Sequence, residues 1–136
     1  MSGRASAPAA PMRILIVDDG EDNRELLQVI LNWEGYVTQT AASGEQALAS
    51  VAEAPPDLVL LDLLLPGLSG CEVTVQLKAN LDTQHIPIIV ISGRTDEATR
   101  RLALSAGAVD FITKPIDRAD LCRRVRSTLR LPPKLP

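Results

Sequence analysis

The sequence has few aromatic residues and no long apolar run. Trp33, Tyr36 and Phe111 are the only aromatic residues among 136, although 46% of the chain is hydrophobic. A core built from this chain must therefore be aliphatic. No stretch reaches the roughly 18 apolar residues that a membrane-spanning helix requires, and the first residues lack the leucine-rich segment of a signal peptide. We expect a cytoplasmic protein without a membrane segment.

Cysteine and histidine are also scarce, and their positions do not suggest a metal site. Cys71 and Cys122 lack the spacing of zinc ligands, and in a reducing compartment such a pair usually remains reduced. His85 precedes the apolar segment IPIIVI and is interpreted as a loop residue. The net charge of −3 argues against sequence-independent binding to nucleic acid, which usually requires a basic protein. We therefore expect no direct contact with nucleic acid.

Short apolar segments recur along the chain and predict five strands alternating with five helices. The strand candidates are RILIV (13–17), YVTQT (36–40), DLVLLD (57–62), PIIVIS (87–92) and AVDFIT (108–113). Helical spacing separates them, with apolar stripes at Leu26, Leu27, Ile30 and Leu31, and at Leu121, Val125 and Leu129. Strict alternation of strands and helices predicts an α/β fold with a doubly wound parallel sheet and right-handed crossovers.

Capping signals and composition mark the boundaries of these elements. SGEQ from Ser43 and SGCE from Ser69 resemble capping boxes, in which a serine begins the helix and the Gln or Glu three residues later bonds back to it. Gly35 and Gly107 stand where the first and fourth helices are expected to end. We expect a disordered arm at 1–11, one domain at 12–131 and a tail at 132–136.

Asp62 lies in the apolar segment LVLLDLLLP (58–66), where a charged side chain requires a stabilising interaction. A buried carboxylate costs several kcal/mol unless it is paired, hydrogen-bonded or bound to a metal. In a doubly wound sheet, ligands bind at the carboxyl ends of the strands. Polar residues end four of the predicted strands: Asp18 and Asp19, Asp62, Ser92, and Lys114. The sequence therefore predicts that these side chains share one site.

The composition of this site favours phosphoryl chemistry with a divalent cation. Three close carboxylates repel one another, and oxygen-only ligands favour Mg²⁺, which retains waters and leaves room for a phosphoryl group. Asp62 is then a candidate nucleophile towards phosphorus, while Lys114 neutralises charge and Ser92 donates to a phosphoryl oxygen. Taken alone, Asp18 and Asp19 also fit a simpler role as helix N-cap and turn residues.

Four segments resemble the signatures of the receiver domain of two-component response regulators, the CheY-like family, in that family's order. They are ILIVDDGEDNRELL, PDLVLLDLLLPGLSG, IPIIVIS and GAVDFITKPI, within residues 12–131. The resemblance implies a flavodoxin-like (βα)5 fold with strand order 2-1-3-4-5. It also implies a phosphoprotein of phosphorelay signal transduction, which receives its phosphoryl group from a sensor histidine kinase or a histidine phosphotransfer protein.

The resemblance assigns a role to each site residue. Asp62 matches the aspartate that becomes an aspartyl phosphate, and Asp18 and Asp19 match the acidic pair that holds Mg²⁺. The backbone carbonyl of Leu64 matches the third protein ligand, and Ser92 matches the switch hydroxyl.

Two further family positions complete this assignment. Lys114 matches the lysine that pairs with the phosphoryl group, and Phe111 matches the switch aromatic, which here has no hydroxyl. The Lys114–Pro115 bond matches one that is usually cis. Gly20 and Gly93 depart from common residues in the flanking loops.

The implied output is a change at the surface made by the fourth helix, the fifth strand and the fifth helix, which is also a possible homodimer interface. Arginines cluster in the last helix, as a solvated face or as salt-bridge partners in a dimer: Arg123, Arg124, Arg126 and Arg130. We expect a phosphorylatable signalling domain rather than an enzyme, with self-phosphorylation from small donors and slow autodephosphorylation.

Three alternatives remain open. A haloacid-dehalogenase-like aspartyl-phosphate phosphatase uses similar residues but expects a second aspartate two positions after the nucleophile, where this chain has Leu64. A nucleotide-binding flavodoxin-like module expects a glycine-rich phosphate loop after the first strand, and none is present. A receiver-shaped scaffold that is never phosphorylated is the third alternative.

Overall fold

The computed structural model describes residues 10–131, so the predicted tail and residues 1–9 of the predicted arm lie outside the described residues. Five strands form in chain order: β1 (Arg13–Val17), β2 (Val37–Ala41), β3 (Leu58–Asp62), β4 (Ile88–Ser92) and β5 (Asp110–Thr113). Each is followed by a helix: α1 (Glu21–Trp33), α2 (Gly44–Glu53), α3 (Gly70–Ala79), α4 (Glu97–Ala106) and α5 (Arg118–Thr128). The predicted alternation is confirmed.

The strands form one parallel sheet in the order β2-β1-β3-β4-β5, which confirms the expected topology. Its register aligns the carboxyl ends of the central strands. Val17 lies opposite Leu61, and Asp62 lies opposite Ile91. Ser92 in turn lies opposite Thr113, the residue before Lys114. Polar residues far apart in sequence therefore leave the sheet at the same edge.

An aliphatic core covers both faces of the sheet. Every residue of β3 and β4 is buried, as expected of parallel strands with helices on both sides. Successive residues of a strand point to opposite faces, so β1 contributes Leu15 and Val17 to the layer containing the buried residues of α2 and α3. Ile14 and Ile16 contribute to the layer under α1 and α5.

The structure corrects the predicted apolar stripe of α1. Leu27, Ile30 and Leu31 are buried, but Leu26 is 55% exposed. The helix turns by about 100° per residue, so the arc centred on the three buried side chains leaves Leu26 on the flank. Hydrophobic periodicity located this helix correctly but included one residue too many in its buried face.

The predicted start of the last strand is also wrong by two residues. Ala108 and Val109 are apolar, yet β5 begins only at Asp110. The backbone N–H of Ala108 donates to the carbonyl of Ala103 and thereby closes the end of α4. Ala108 therefore belongs to the helix termination rather than to the sheet.

One of the two predicted capping boxes forms completely. At Ser69 the hydroxyl accepts from the Glu72 N–H at 3.2 Å, and the Glu72 carboxylate accepts from the Ser69 N–H at 3.0 Å. At Ser43 the hydroxyl accepts from the Gln46 N–H at 3.2 Å, but the Gln46 side chain accepts from the N–H of Ala42 instead. The second half of the Ser43 prediction is therefore wrong, because the preceding residue presents its N–H to Gln46.

Gly35 and Gly107 end their helices as predicted. Their φ angles of 97° and 122° are rarely adopted by residues other than glycine. Gly107 is also confined, because a Cβ there would lie 2.7 Å from Cγ of Lys78. The Lys78 ammonium donates to the carbonyls of Gln84 and Ile86 at 3.0 and 2.6 Å. Lys78 thus links α3, the loop before β4 and the end of α4.

Candidate functional site

Asp62 is the last residue of β3 and lies at the carboxyl edge of the sheet, with only 6% of its surface exposed. Strand β3 is buried on both faces and flanked by β1 and β4, so its backbone is held firmly. The backbone N–H of Leu64 donates to Oδ1 of Asp62 at 3.1 Å. The carboxylate is therefore held by its own strand and by the following turn.

The structure brings the predicted acidic residues together. Asp18, Asp19 and Asp62 each offer a carboxylate oxygen, and these oxygens lie within 4.8 Å of one another. Asp18 is buried, whereas Asp19 is exposed at the mouth of the site. Carboxylates at this separation form an oxygen-only donor set of the kind that Mg²⁺ uses, with space for water ligands. The residues present therefore fit a hard divalent cation.

Lys114 reaches the same cluster from the end of β5. Its ammonium nitrogen lies 3.1 Å from Oδ2 of Asp62 and 3.5 Å from Oδ2 of Asp18. The Lys114 backbone N–H donates to the Ser92 carbonyl at 2.8 Å, which extends the β4–β5 ladder to this residue. The Lys114–Pro115 peptide bond is cis, as the resemblance implied.

The charges of the site shift the pKa values of both partners. Burial raises the pKa of the Asp62 carboxyl, and the charge of Asp18 adds to this effect; the Lys114 and Leu64 hydrogen bonds oppose it but do not overcome it. Burial alone would lower the pKa of Lys114, but the hydrogen bond to Asp62 and the charges of both carboxylates outweigh burial and raise it. Three carboxylates share one ammonium at this edge, so negative charge exceeds positive charge there.

Ser92 and Phe111 lie on β4 and β5, as predicted. The Phe111 ring, however, packs in the hydrophobic core and does not line the acidic cluster. Ser92 ends β4, is buried, and accepts from the Arg94 N–H through Oγ at 3.0 Å. Phe111 is buried in the aliphatic layer on the α2–α4 side of the sheet, opposite Val90 of the neighbouring strand. The Phe111 ring is thus packed inside the protein.

Leu64, whose carbonyl was expected to be a metal ligand, lies in the turn after β3 with its side chain 65% exposed. Its N–H is committed to Asp62, as described above. The role of its carbonyl remains a prediction.

Sequence reasoning missed two residues that shape the site. Arg24 of α1 donates from Nη1 to the backbone carbonyl of Asp18 at 2.7 Å and so fixes the loop that carries the acidic pair. Gly70 begins α3 so close to β3 that a Cβ there would lie 2.5 Å from the Asp62 carbonyl oxygen. The only sequence signal for Arg24 is its position in the first turns of α1. The only signal for Gly70 is its position directly after the capping residue Ser69.

Asp18 and Asp19 do not cap helix α1, but Asp18 does form the turn that the simpler interpretation also predicted. The N-cap of α1 is Gly20, and no side-chain hydrogen bond caps this helix. The Gly20 N–H donates to Oδ1 of Asp18 at 2.8 Å, which turns the chain between β1 and α1. Asp19 remains directed to the acidic cluster.

A doubly wound sheet with an acidic pair, a buried acid and a lysine at its carboxyl edge defines the CheY-like class. Residues 14–126 match the family described as response regulator receiver domain. The chain therefore belongs to this family of two-component response regulators.

Curated relatives support the same assignment. The chain is 45% identical over 118 residues to response regulator PleD of Caulobacter vibrioides, covering 87% of this chain and 26% of PleD. It is 43% identical over 118 residues to DNA-binding response regulator MtrA of Mycobacterium tuberculosis, covering 87% of this chain and 50% of MtrA. The chain thus spans a quarter to a half of these relatives.

Solved structures agree with the fold. A putative response regulator from Chloroflexus aurantiacus superposes with a TM-score of 0.86 at 33% identity, over 89% of this chain and 99% of that one. The receiver domain of sensor histidine kinase PA1611 from Pseudomonas aeruginosa superposes with a TM-score of 0.83 at 30% identity, over 89% and 99% of the two chains, and that structure has a magnesium ion in its active-site cleft.

Two further observations concern residues 10–131. None of the helices there is both long and apolar enough to cross a membrane. Within the same range, no disulfide joins Cys71 to Cys122.

Proposed function

We propose that residues 12–131 are a cytoplasmic phosphoacceptor domain and that Asp62 receives a phosphoryl group from a sensor histidine kinase or a histidine phosphotransfer protein. One observation carries this proposal: the carboxylate of Asp62, whose side chain is only 8% exposed, lies beside two further carboxylates and 3.1 Å from the Lys114 ammonium. A side chain held in this way has a defined direction and a paired counter-charge. Both features suit a nucleophile towards phosphorus.

The metal that this site fits is Mg²⁺, held by Asp18, Asp19, Asp62 and the backbone carbonyl of Leu64. When bound, the ion neutralises negative charge on the transferring phosphoryl oxygens. An Asp62 oxygen forms the new O–P bond as the P–N bond of the donor histidine breaks, and the electron pair of that bond returns to the imidazole nitrogen. Lys114 moves from carboxylate to phosphoryl oxygen, because the phosphoryl group carries more negative charge.

The proposed switch begins at Ser92, whose hydroxyl now accepts from the Arg94 N–H. A phosphoryl oxygen on Asp62 offers Oγ of Ser92 a charged acceptor, so the hydroxyl turns and the loop before α4 follows. Phe111 has no hydroxyl, so it transmits this movement through packing alone. The expected result is a changed surface over α4, β5 and α5, which we also propose as a homodimer interface.

We propose that the domain acts in signalling rather than as an enzyme that turns over a substrate. The same site supports self-phosphorylation by small phosphodonors, because the groups that stabilise the transferring phosphoryl belong to this chain. Hydrolysis of the acyl phosphate then returns the domain slowly to its resting state. We propose that this chain makes no direct contact with nucleic acid; MtrA is named as DNA-binding, but this chain spans only 50% of it.

The alternatives are less well supported. A haloacid-dehalogenase-like phosphatase needs an acid two residues after the nucleophile, and position 64 is an exposed leucine. An unphosphorylated scaffold has no need for a buried acid beside two other carboxylates, since that arrangement costs stability.

The proposal is tested by incubating the protein with acetyl phosphate or phosphoramidate, with and without Mg²⁺, and measuring phosphoryl incorporation by intact-protein mass spectrometry. We expect incorporation of one phosphoryl group only with Mg²⁺, and none in Asp62→Asn. Asp82→Asn is the matched control, because Asp82 is exposed in the loop before β4. Equal labelling of folded Asp62→Asn protein would contradict the proposal.

A further inference from the structure

Asp19 and Gly20 form the only Asp–Gly pair in the chain, and the sequence has no Asn–Gly pair. An aspartate followed by glycine can close a five-membered succinimide ring, in which the backbone nitrogen of the glycine bonds to the side-chain carbon Cγ of the aspartate. Other residues in the second position hinder this closure, because their side chains crowd the nitrogen and restrict the backbone. The loop between β1 and α1 therefore contains a reactive pair inside the acidic cluster.

The structure leaves the side chain of Asp19 freer than its neighbours. The Asp18 N–H donates to the Ala41 carbonyl at 3.1 Å, and the Asp18 carbonyl accepts from Arg24 at 2.7 Å. The Gly20 carbonyl accepts from the Arg24 N–H at 3.0 Å. Asp19 lies between them and is exposed, and within residues 10–131 no hydrogen bond or ion pair holds its carboxylate. Its side chain is thus able to rotate between two anchored residues.

The nitrogen of Gly20 already has a proton acceptor beside it. Its N–H donates to Oδ1 of Asp18 at 2.8 Å. A carboxylate in this position accepts the proton as a new bond forms at the nitrogen, which is the role of a general base. The nucleophile, the carbon that it attacks and the base belong to three consecutive residues, so the step is intramolecular throughout.

We propose that Asp19 isomerises to isoaspartate through a succinimide when no metal is bound, and that this modification inactivates the domain. The Gly20 nitrogen bonds to Cγ of Asp19 with its electron pair, and its proton passes to Asp18. One carboxyl oxygen of Asp19 leaves as water, with that proton and one from solvent. Water then opens the ring at the backbone carbonyl of Asp19 and a proton is released. The product keeps the mass and charge of the chain.

The modification displaces a carboxylate from the acidic cluster. In isoaspartate the main chain runs through Cβ and Cγ and is one carbon longer, while the carboxylate is attached directly to Cα. Because Asp18 and Gly20 are both anchored by hydrogen bonds, the extra length is taken up at position 19. A carboxylate oxygen that lies within 4.8 Å of those of Asp18 and Asp62 then moves away from them. The inactivation rests on the proposed metal role of Asp19, whereas the isomerisation itself does not.

The first test incubates the full chain in a chelator at neutral pH for several weeks, with a parallel sample in denaturant. Peptides are analysed by chromatography and electron-transfer tandem mass spectrometry, which distinguishes isoaspartate from aspartate. In the folded sample we expect isoaspartate at position 19 to accumulate several-fold faster than at Asp82, an exposed aspartate that precedes Thr83 in the loop after α3. Isomerisation of position 19 in denaturant alone, or equal rates at the two positions, would overturn the proposal.

Gly20→Ala tests the ring closure directly. Its Cβ would lie 3.2 Å from Oδ1 of Asp18 and 3.3 Å from Nδ2 of Asn23, which are the ends of side chains, and the φ of −90° at Gly20 suits alanine. We expect this variant to fold and to isomerise several-fold more slowly than the wild type. Gly93→Ala, at an open position after β4, is the matched control and should isomerise at the wild-type rate. An unchanged rate in Gly20→Ala would overturn the proposal.

The second test separates this modification from the proposed phosphoacceptor function. The incubation is repeated with saturating Mg²⁺, and Mg²⁺ binding by fresh and aged protein is measured by calorimetry. We expect the ion to slow isomerisation, because an oxygen that it holds is not free to leave, and the binding fraction to fall as isoaspartate accumulates. Unchanged Mg²⁺ binding by isomerised protein would overturn the inactivation. If fresh protein binds no Mg²⁺ while position 19 still isomerises, the proposed metal site is wrong and the isomerisation is confirmed.

Discussion

The ammonium nitrogen of Lys114 lies 3.1 Å from Oδ2 of Asp62 and 3.5 Å from Oδ2 of Asp18. One cation is thus shared between two buried carboxylates, with the exposed Asp19 close by. The lysine cannot balance this charge alone. Burial raises the pKa of Asp62, and the charge of Asp18 adds to this effect. Such a site carries an electrostatic cost in the absence of a divalent cation.

Asp62→Asn is expected to stabilise the metal-free protein by about 1 kcal/mol, or roughly 3 to 5 °C in Tm. The amide keeps the shape of the side chain but removes a desolvated charge. Because the folded pKa of Asp62 is raised, its contribution to stability is complete at low pH and is lost as the pH rises through that pKa. The advantage of the variant should therefore be largest near neutral pH and shrink towards the ordinary carboxyl value of 3.8.

Thermal unfolding in a chelator, followed by circular dichroism at several pH values, measures this difference. Asp82→Asn controls for the loss of an exposed carboxylate. A variant that is less stable than the wild type at neutral pH would show that Lys114 more than compensates the burial of Asp62.

Arg24→Met is expected to weaken Mg²⁺ binding several-fold, measured by isothermal titration calorimetry. Its guanidinium fixes the Asp18 carbonyl at 2.7 Å and with it the loop that carries the acidic pair. The removed positive charge acts in the opposite direction, because it no longer repels the cation. We expect the lost hydrogen bond, about 1.5 to 3 kcal/mol for a charged donor, to dominate.

Arg24→Lys separates the two effects, since it keeps the charge but loses the planar donor. Tighter binding in Arg24→Met than in the wild type would mean that Arg24 acts only through its charge. Asp19→Ala provides the reference for a lost ligand, and Arg100→Met, on the exposed surface of α4, provides the neutral control.

Gly70→Ala is expected to destabilise the fold by about 1 to 3 kcal/mol, because the new Cβ would lie 2.5 Å from the Asp62 carbonyl oxygen and 2.8 Å from Cα of Leu63. These are backbone atoms and have little freedom to move. Gly93→Ala is the matched comparison, because no atom lies within 4 Å of its Cβ position. Gly93→Ala should be neutral or slightly stabilising. Similar unfolding midpoints in denaturant for the two variants would contradict the close packing of α3 on β3.

Ser92→Ala is expected to permit phosphorylation but to abolish the response of α4, β5 and α5. The variant keeps the nucleophile and lacks the hydroxyl that turns towards the phosphoryl group. Amide chemical shifts before and after phosphorylation report this response, and Ser50→Ala serves as control, because Ser50 lies on α2, outside the responding surface. A full set of wild-type shift changes in Ser92→Ala would exclude the proposed switch.

The alternation of elements and the carboxyl ends of β1, β3, β4 and β5 were predictable from the sequence because both depend on local patterns. A polar residue at or just after the end of an apolar strand, such as Asp62 or Lys114, can be recognised in the sequence. The parallel topology then brings these strand ends together. The contacts of Arg24 and Gly70 were not predictable in this way. One depends on the path of the β1–α1 loop, and the other on the distance between α3 and β3, which no periodicity encodes.

The same limit applies to helix faces and caps. Leu26 is a residue type common in cores, but it lies just outside the buried arc of α1 and is 55% exposed. Gln46 has the right spacing for a capping box but bonds to the N–H of Ala42, because that group is oriented towards it. The sequence pattern indicates which residues are available for an interaction. The three-dimensional arrangement of the backbone determines which of the available interactions forms.

The most direct test of the central claim locates the phosphoryl group itself. Protein phosphorylated with a small donor and Mg²⁺ is reduced with borohydride, which converts an acyl phosphate into homoserine, and the peptides are sequenced by tandem mass spectrometry. We predict homoserine at position 62 alone. Homoserine at position 18 or 19, or phosphate recovered on a serine or histidine with position 62 unchanged, would contradict the assignment of Asp62 as the phosphoacceptor.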